Sequence, residues 1–229
     1  MGLDLTYETI AKRIDHSLLG PTLTEAELEE GCRVAAKYRV ASVCIKPFAV
    51  AQAARWLRDT EVAVGTTVGF PHGGHSMEIK LAEARQAVKD GATELDMVIN
   101  IGQALGGNWQ AVSDEIAALT QLAHEAGALI KVIFENCYLD TAQKIRLCEI
   151  CGQVGVDYVK TSTGYAPGGA THEDLILMRQ HSPAHVKLKA AGGVRTLDQA
   201  IAVVELGCDR IGASRTAEIL DELTHRLGN

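Results

Sequence analysis

The stretch Thr141–Ser162, TAQKIRLCEICGQVGVDYVKTS, contains one complete unit of the fold that the sequence predicts. Thr141–Val154 has the periodicity of a helix, Gly155 supplies a helix stop, and Tyr158–Ser162 is a short strand. The same stop recurs between other predicted helices and strands, at Gly91, Gly127 and Gly207. Because regular alternation of helices with buried strands is typical of a parallel sheet covered by helices, the stretch indicates an α/β protein.

Eight short, mainly apolar runs along the chain are predicted to be strands. They are Arg13–Leu18, Ala41–Ile45, Val62–Val68, Glu94–Asn100, Leu129–Phe134, Tyr158–Ser162, Val186–Ala190 and Arg210–Ala213. The predicted helices between them include Thr24–Tyr38, Ser76–Asp90, Trp109–Ala126, Thr141–Val154 and Leu197–Leu206. Thr24 and Glu27 form the pattern of a capping box at the start of the first of these helices.

Eight strand–helix units fit a closed barrel, which needs at least ~200 residues, and the chain has 229. A doubly wound open sheet is the alternative, but it would carry a glycine-rich turn after the first strand. The segment Asp15–Pro21 is not such a turn. We therefore predict a single (β/α)8 TIM barrel of the α/β class with a short N-terminal helix, forming one domain over residues 1–229.

The composition excludes several classes of function. With 22 Lys+Arg against 29 Asp+Glu the net charge is −7, so the chain is a poor general binder of polyanions such as nucleic acid. Aromatic residues make up only 4% of the chain, too few for stacking along a single strand. No stretch approaches the ~20 apolar residues of a membrane span, so we expect no membrane partner.

The cysteines and the start of the chain predict a cytoplasmic location. Residues 1–5 lack a basic region followed by an apolar run, which a secretion signal requires. We therefore expect the six cysteines to be reduced thiols. Cys148 and Cys151 form a C-x-x-C pattern, but the helical period around them favours buried apolar residues over a metal or redox site.

Charged residues within strands that should be buried indicate where the chemistry lies. Asp96, Lys160 and Lys189 each interrupt an otherwise apolar strand, and in a barrel of this type the site lies at the carboxyl ends of the strands. Buried charge pairs rarely stabilise a fold on balance, so several of them on adjacent strands favour a functional site. Further polar residues lie within or just after strands, at Asp15, Cys44, Lys46, Asn100, Lys131, Glu135, Lys187 and Ser214.

A lysine inside a barrel suits Schiff-base formation with a carbonyl group, which requires a neutral amine. Lowering the pKa from ~10.4 to ~7 requires roughly 4.6 kcal/mol. A second ammonium about 4 Å away supplies ~4 kcal/mol at an effective dielectric constant of ~20, and burial supplies the rest. Lys160 and Lys189 fit one nucleophile and one activator, with Asp96 as a proton relay. These arguments leave open which lysine is the nucleophile, and they leave Lys187 as a third candidate.

Glycine-rich segments lie at or directly after the last three predicted strands. Gly164 and Gly168-Gly169 follow the sixth, Ala191–Thr196 follows the seventh, and Arg210–Arg215 contains the eighth. Loops after strands seven and eight of such barrels commonly bind a phosphate group through backbone N–H groups and a helix N-terminus. Ser214 can add a hydroxyl group, and Arg195 or Arg215 a positive charge. The sequence therefore predicts a phosphorylated substrate.

Motifs along almost the whole chain point to one family. They are Ile14–Leu19, Val43–Pro47, Val68–Pro71, Glu94–Gly102, Lys131–Glu135, Val159–Gly164, Gly168–Thr171 and Lys189–Thr196. Each motif alone is common, but in their order and spacing they resemble the deoxyribose-phosphate aldolases. The resemblance implies a class I aldolase without metal or cofactor. Such an enzyme cleaves 2-deoxy-D-ribose 5-phosphate reversibly to D-glyceraldehyde 3-phosphate and acetaldehyde.

The resemblance also implies roles for individual residues. Lys160 would form the Schiff base, Lys189 would perturb the pKa of Lys160, and Asp96 with a water molecule would shuttle protons. The residues implied to hold the phosphate are Gly164, Gly192, Gly193, Val194, Arg195, Gly212, Ala213 and Ser214. Further residues expected near the substrate are Asp15, Ser17, Cys44, Lys131 and Thr163, although Cys44 is equally interpreted as a buried structural cysteine. We expect a homo-oligomer, a dimer or a tetramer, whose ligands are the phosphorylated sugar and acetaldehyde.

Tyr165 and Arg215 depart from the family pattern, and two other functions are alternatives. Tyr165 stands where some members carry a phosphate-binding lysine and others an aromatic residue, and Arg215 stands where a small residue is frequent. A metal-dependent aldolase draws its support from His72 and His75, although two histidines in a glycine loop favour a polar surface loop. A non-catalytic sugar-phosphate-binding regulator is the other alternative, and the presence of both barrel lysines with Asp96 argues against it.

Overall fold

A computed structural model describes residues 4–228 of the chain and places eight parallel strands in a closed barrel, in the order in which they occur in the sequence. The strands are β1 (Ile14–Leu18), β2 (Ser42–Ile45), β3 (Ala63–Val68), β4 (Glu94–Val98), β5 (Leu129–Ile133), β6 (Tyr158–Lys160), β7 (Lys187–Ala191) and β8 (Arg210–Ala213). β1 pairs with β8, for example Asp15 with Gly212, and this pairing closes the barrel. The predicted (β/α)8 TIM barrel is confirmed, and each predicted strand lies within two residues of its observed bounds.

Helices cover the outside of the barrel. They are α1 (Tyr7–Ala11), α2 (Glu25–Lys37), α3 (Val50–Trp56), α4 (Met77–Lys89), α5 (Ile101–Leu105), α6 (Trp109–Glu125), α7 (Thr141–Val154), α8 (His172–His181), α9 (Leu197–Glu205) and α10 (Thr216–Arg226). The short N-terminal helix, α1, is present as predicted. None of the helices within residues 4–228 is long and apolar enough to cross a membrane. Residues 1–3, which contributed to the expectation of no secretion signal, lie outside the described residues.

Local sequence signals determine where these elements begin and end. Thr24 accepts a hydrogen bond from the Glu27 backbone and the Glu27 side chain accepts one in return, so the predicted capping box is present. The predicted helix stops all adopt the left-handed backbone conformation that glycine tolerates, at Gly91, Gly127, Gly155 and Gly207. β4 ends two residues earlier than predicted because the Asn100 side chain accepts a hydrogen bond from the Gln103 N–H and starts α5 instead.

The apolar core lies between the sheet and the helices, whereas the interior of the barrel is largely ionic. The core is a continuous cluster of buried side chains that includes Ile14, Leu28, Val43, Leu95 and Ile116. Cys148 and Cys151 are buried within α7 as free thiols, as their helical pattern indicated. Because the helices seal the sheet on the outside, charged side chains that point into the barrel are removed from water.

A buried ion pair outside the barrel supports the carboxyl end of β4. The Lys80 amine lies 2.8 Å from Glu115 and donates to the Val98 carbonyl oxygen at 2.7 Å. Glu115 also accepts a hydrogen bond from the Asn100 N–H at 3.1 Å. Burial lowers the pKa of Lys80 and raises that of Glu115. α4 and α6 are thereby linked to the point where β4 meets the loop that leads to α5.

The loop between β3 and α4 offers a matched pair of glycines for a stability test. A Cβ atom on Gly73 (φ +67°) would lie 1.8 Å from the Ile99 carbonyl oxygen, whereas one on Gly74 would meet open space. We expect Gly73→Ala to lower the free energy of unfolding by about 2–4 kcal/mol, because both the backbone conformation and the contact are unfavourable for a side chain. Urea unfolding should show Gly74→Ala within about 0.5 kcal/mol of the unsubstituted protein. Equal effects of the two substitutions would contradict this account of the loop.

Candidate active site

A cavity of about 510 Å³ opens at the carboxyl ends of the strands, where the sequence predicted the site. Lys160 and Lys189 form part of its floor, and both side chains are almost completely buried. Four of the residues expected near the substrate, Asp15, Ser17, Cys44 and Thr163, also line it. Asp96 and Lys131 do not line the cavity but lie next to its floor, fully buried within the barrel.

Strand register brings the charged side chains together. Asp96 is paired with Lys131 on β5, and Lys160 is paired with Lys189 on β7. Lys189 is in turn paired with Arg210 on β8. Because side chains alternate between the two faces of a strand, residues two apart share a face, and Glu94 therefore points inward one layer below Asp96.

The result is one continuous ionic cluster inside the barrel. Asp96 Oδ2 accepts hydrogen bonds from Lys160 Nζ at 2.8 Å and from Lys189 Nζ at 2.7 Å, and its Oδ1 accepts from Lys131 Nζ at 2.9 Å. Lys189 and Lys131, but not Lys160, also contact other carboxylates. Lys189 donates to Asp15 at 2.5 Å, and Lys131 lies 2.6 Å from Glu94 and 3.1 Å from Asp15.

Arg210 completes this cluster from the amino-terminal side of the barrel. It donates to Asp15 and, at 2.9 Å, to Glu94, while its guanidinium group lies over the Tyr158 ring. Sequence reasoning did not assign a role to either Glu94 or Arg210. The sequence does contain a signal for both residues. Glu94 lies two positions before Asp96 and so shares its inward face, and Arg210 begins β8, where it is paired with Lys189.

The balance of charge in the cluster singles out Lys160. Four cations face three carboxylates, and these are Lys131, Lys160, Lys189 and Arg210 against Asp15, Glu94 and Asp96. Lys131 contacts three carboxylates and Lys189 and Arg210 contact two each, whereas Lys160 contacts Asp96 alone and shares that oxygen with Lys189. Lys160 is therefore the least compensated cation of the cluster.

The pKa directions follow from this arrangement. Burial lowers the pKa of Lys160, and the Lys189 ammonium lowers it further against the opposing effect of Asp96. Burial also acts on Lys189 and Lys131, but their carboxylate partners outweigh it and raise both pKa values. The surrounding cations hold the pKa of Asp96 well below its usual value despite complete burial. The site can thus present one neutral amine beside an ionised carboxylate and a protonated lysine.

The structure places Lys187 away from this chemistry. Its side chain is exposed at the start of β7, with Nζ 5.6 Å from the centre of the Tyr158 ring. It lies at the opposite mouth of the barrel and does not line the cavity. Of the three lysines that the residues left open as nucleophile, Lys187 therefore has no access to a substrate in this cavity.

Most residues of the predicted phosphate site lie on one side of the cavity. They are Gly164, Gly192, Gly193, Val194, Arg195, Gly212 and Ser214. Ala213 does not line the cavity but packs in the apolar core. Gly192 has φ +80°, and a Cβ atom on it would lie 2.9 Å from the Gly169 Cα, so two backbone segments meet there without side chains. That close approach leaves backbone groups accessible to an anion.

Cys44 is buried beside Asp96, whereas the two loop histidines lie at the surface. The Cys44 thiol lies 4.0 Å from Asp96 Oδ2, and burial raises its pKa to about 11. His72 and His75 are exposed on the surface loop after β3, as their pattern favoured, and neither lines the cavity of Lys160. Within residues 4–228 no three His, Cys, Asp or Glu side chains are grouped so as to hold a metal ion.

Comparison with known proteins identifies relatives along the whole chain. Residues 9–215 match the sequence model of a family described as DeoC/LacD family aldolase. A deoxyribose-phosphate aldolase of Rhodopirellula baltica is 57% identical over 225 residues, which cover 98% of this chain and 93% of the relative.

Solved structures agree with this result. A protein described as QR15, an aldolase, superposes with a TM-score of 0.90 at 36% identity, covering 95% of this chain and 97% of its own. A tetrameric deoxyribose phosphate aldolase of Aeropyrum pernix superposes with a TM-score of 0.89 at 30% identity, covering 96% and 92%. Both the fold and the arrangement of the strands are therefore shared with aldolases.

His16, in the wall of the cavity, should make the stability of the protein depend on pH. Its Nδ1 lies 2.7 Å from Thr216 Oγ1, and burial lowers its pKa to about 4 against the opposing Glu218 carboxylate. An unfolded chain takes up this proton near pH ~6.5. The unfolded state therefore binds more protons between those values, and stability falls as the pH decreases, by about 2–3 kcal/mol from pH ~6.5 to ~4.5.

Urea unfolding at several pH values should show that His16→Asn removes this part of the pH dependence. The control is His75→Asn, because His75 is exposed. An unchanged pH dependence in His16→Asn would show that His16 is not the group responsible.

Proposed function

This chain belongs to the DeoC/LacD family of aldolases, and we propose on that premise that Lys160 carries out its chemistry as a Schiff-base nucleophile. It is a class I aldolase, a carbon–carbon lyase that cleaves 2-deoxy-D-ribose 5-phosphate reversibly to D-glyceraldehyde 3-phosphate and acetaldehyde. The assignment rests on one observation: of the three lysines that contact Asp96, only Lys160 contacts no other carboxylate. Lys160 opens onto the cavity with a lowered pKa, whereas Lys189 and Lys131 have raised values.

The reaction begins with attack of the neutral Lys160 amine on the C1 aldehyde of the open-chain sugar. The addition product loses water to give a protonated imine. Asp96 lies 2.8 Å from Lys160 Nζ, so it can take and return the protons of these steps directly or through a water molecule. Lys189, which donates to the same oxygen, remains protonated and favours the neutral form of Lys160 by repulsion.

Cleavage then breaks the C2–C3 bond of the sugar. The C3 hydroxyl group loses its proton and becomes the aldehyde of D-glyceraldehyde 3-phosphate, and the electron pair of the broken bond forms an enamine on Lys160. Protonation of that enamine at C2 and hydrolysis release acetaldehyde. Asp15 and Ser17 line the same cavity and are suitably placed to bind the sugar hydroxyl groups.

The phosphate group is assigned to the glycine-rich side of the cavity. Gly192 and Gly193, with φ +80° and +100°, expose backbone in the loop after β7, and Ser214 follows β8. Arg195 is the cation of this wall, and Thr196 caps the N-terminus of α9 directly after it. This arrangement supports binding of the substrate with its phosphate toward β7 and β8 and its carbonyl carbon toward Lys160.

The other two functions receive no comparable support. A metal-dependent aldolase would draw on His72 and His75, which lie on a surface loop outside the cavity of Lys160. A non-catalytic regulator would have no use for a buried cluster in which the pKa of one lysine is lowered, because buried charge is costly to maintain.

We also propose that the protein acts in the cytoplasm as a homo-oligomer, a dimer or a tetramer. The Aeropyrum pernix structure is tetrameric, which supports the formation of an oligomer by this chain as well. The six cysteines are free, and five of them are buried, as expected for a protein of a reducing compartment.

Borohydride reduction in the presence of acetaldehyde tests the nucleophile. We expect a reduced adduct on Lys160 in peptide mass mapping and its loss in Lys160→Leu. Lys187→Leu should trap normally, because that side chain lies at the opposite mouth. An adduct on Lys189 or Lys187, or no adduct, would overturn the assignment.

Lys189→Leu should shift the pH–rate profile. Without this ammonium group, Lys160 is the only lysine that donates to Asp96 Oδ2, so the pKa of Lys160 rises. The neutral fraction of Lys160 falls about tenfold for each unit by which its pKa rises. The acidic limb of the plot of kcat/KM against pH should move to higher pH. At neutral pH, kcat should fall by a larger factor than the affinity for the substrate. Lys187→Leu, two residues away on the same strand, is the matched control and should not move the limb. A profile that is unchanged in Lys189→Leu would contradict the role given to Lys189.

A further inference from the structure

Tyr165 stands between two cavities at the carboxyl end of the barrel. It lines the cavity of Lys160 and also a second one of about 330 Å³, which lies over the loops that follow β3 to β6. Thr163 is the other residue that lines both. Tyr165 is 46% exposed although both its backbone and its ring are held in place. Its side chain is therefore a thin wall with open space on both sides.

Hydrogen bonds and ring packing fix this wall from several directions. The Tyr165 hydroxyl group donates to the Leu19 carbonyl oxygen at 2.7 Å, and its ring packs edge-on against Phe70 at 5.4 Å between centroids. Its N–H donates to Thr163 Oγ1 at 3.0 Å, and Thr163 in turn donates to the buried carboxylate of Glu135. Tyr165 thus links the loop after β6 to the loop after β1 across the mouth of the barrel.

The two cavities differ in chemistry. The cavity of Lys160 carries Arg195 and the glycine-rich loops and suits an anionic ligand. The second cavity, here called the apolar groove, is lined mainly by Pro71, Ile101, Leu105, Tyr138 and Ala166. Leu105 and Tyr138 are about half exposed there, at 50% and 49%. Its acidic residue, Glu135, is buried and accepts hydrogen bonds from Thr163, and its histidine, His72, is exposed to solvent. The remaining lining is mainly apolar, so the groove suits an uncharged hydrocarbon group.

We propose that Tyr165 determines the acceptor specificity of this aldolase by confining the substrate to the anion-binding cavity, and that the apolar groove behind it is a subsite for the hydrocarbon tail of an unphosphorylated aldehyde. The proposal rests on the proposed function. In the addition direction the enamine carbon on Lys160 attacks the carbonyl carbon of the acceptor. One carbon–carbon bond forms, and the carbonyl oxygen takes up a proton to become a hydroxyl group. Both kinds of acceptor react at the same carbonyl group and differ only in the tail. A phosphorylated tail would enter the anion-binding cavity, and a hydrocarbon tail would enter the apolar groove.

Three variants test the wall with acetaldehyde as donor and either hexanal or D-glyceraldehyde 3-phosphate as acceptor. Tyr165→Ala should raise the ratio of kcat/KM for hexanal to that for the phosphorylated acceptor about tenfold or more, mainly through a lower KM for hexanal. Tyr165→Phe keeps the ring and removes only the bond to Leu19, so the ratio should stay within about twofold. Adding Leu105→Asn to Tyr165→Ala should abolish the gain, because Leu105 lines the groove and not the cavity of Lys160.

A ratio that does not change in Tyr165→Ala, or a gain that survives Leu105→Asn, would overturn the proposal. So would a change in the solution mass of the Leu105→Asn protein, because a second copy of the chain would then cover the groove. Binding of 1-hexanol, which cannot form a Schiff base, separates this proposal from the proposed function. Calorimetry should show tighter binding to Tyr165→Ala than to the double variant, even if no activity toward the phosphorylated acceptor is found. Equal binding to the two variants would overturn the assignment of the groove.

Discussion

Asp96 accepts hydrogen bonds from Lys131, Lys160 and Lys189 at once, and the state of each lysine depends on how that carboxylate is shared. Lys131 and Lys189 have other carboxylates to contact, so they remain protonated in spite of burial. Lys160 has none, and it also lies at the floor of the open cavity. The least compensated cation of the cluster therefore lines the open cavity, and the proposed Schiff-base chemistry depends on this coincidence.

Such a cluster is costly to bury, and the fold supports it on two sides. Arg210 closes it from below by holding Asp15 and Glu94, and Tyr158 covers the guanidinium group. The apolar core between sheet and helices supplies the stability of the fold as a whole. A hydrophobic interior of similar volume would often be at least as stable, so the charges are best explained by the chemistry that they make available at Lys160.

At the mouth of the barrel the loops divide the space according to charge. Glycines after β7 bring bare backbone and Arg195 to one side, where we propose that the phosphate group binds. The loops after β3 to β5 contribute apolar side chains such as Leu105 to the other side. Tyr165 separates the two because the loop after β6 lies between them, and its hydroxyl group reaches the loop after β1. The proposed selection of substrate thus depends on loops, whereas the proposed nucleophile is positioned by a strand.

The sequence by itself determined the barrel, because helical and strand periods and helix-stopping glycines are local signals. It also marked Asp96, Lys160 and Lys189 as charges within otherwise apolar strands. The family resemblance implied Lys160 as the nucleophile among lysines that the residues alone left open. Only the tertiary structure decided which carboxylates each lysine contacts, that Glu94 and Arg210 belong to the cluster, and that Lys187 lies at the far mouth. It also placed Ala213 in the core and Tyr165 between two cavities. The physical reason is that strand register and loop packing join residues far apart in the chain, and hydrogen-bond distances decide how charge is shared among them.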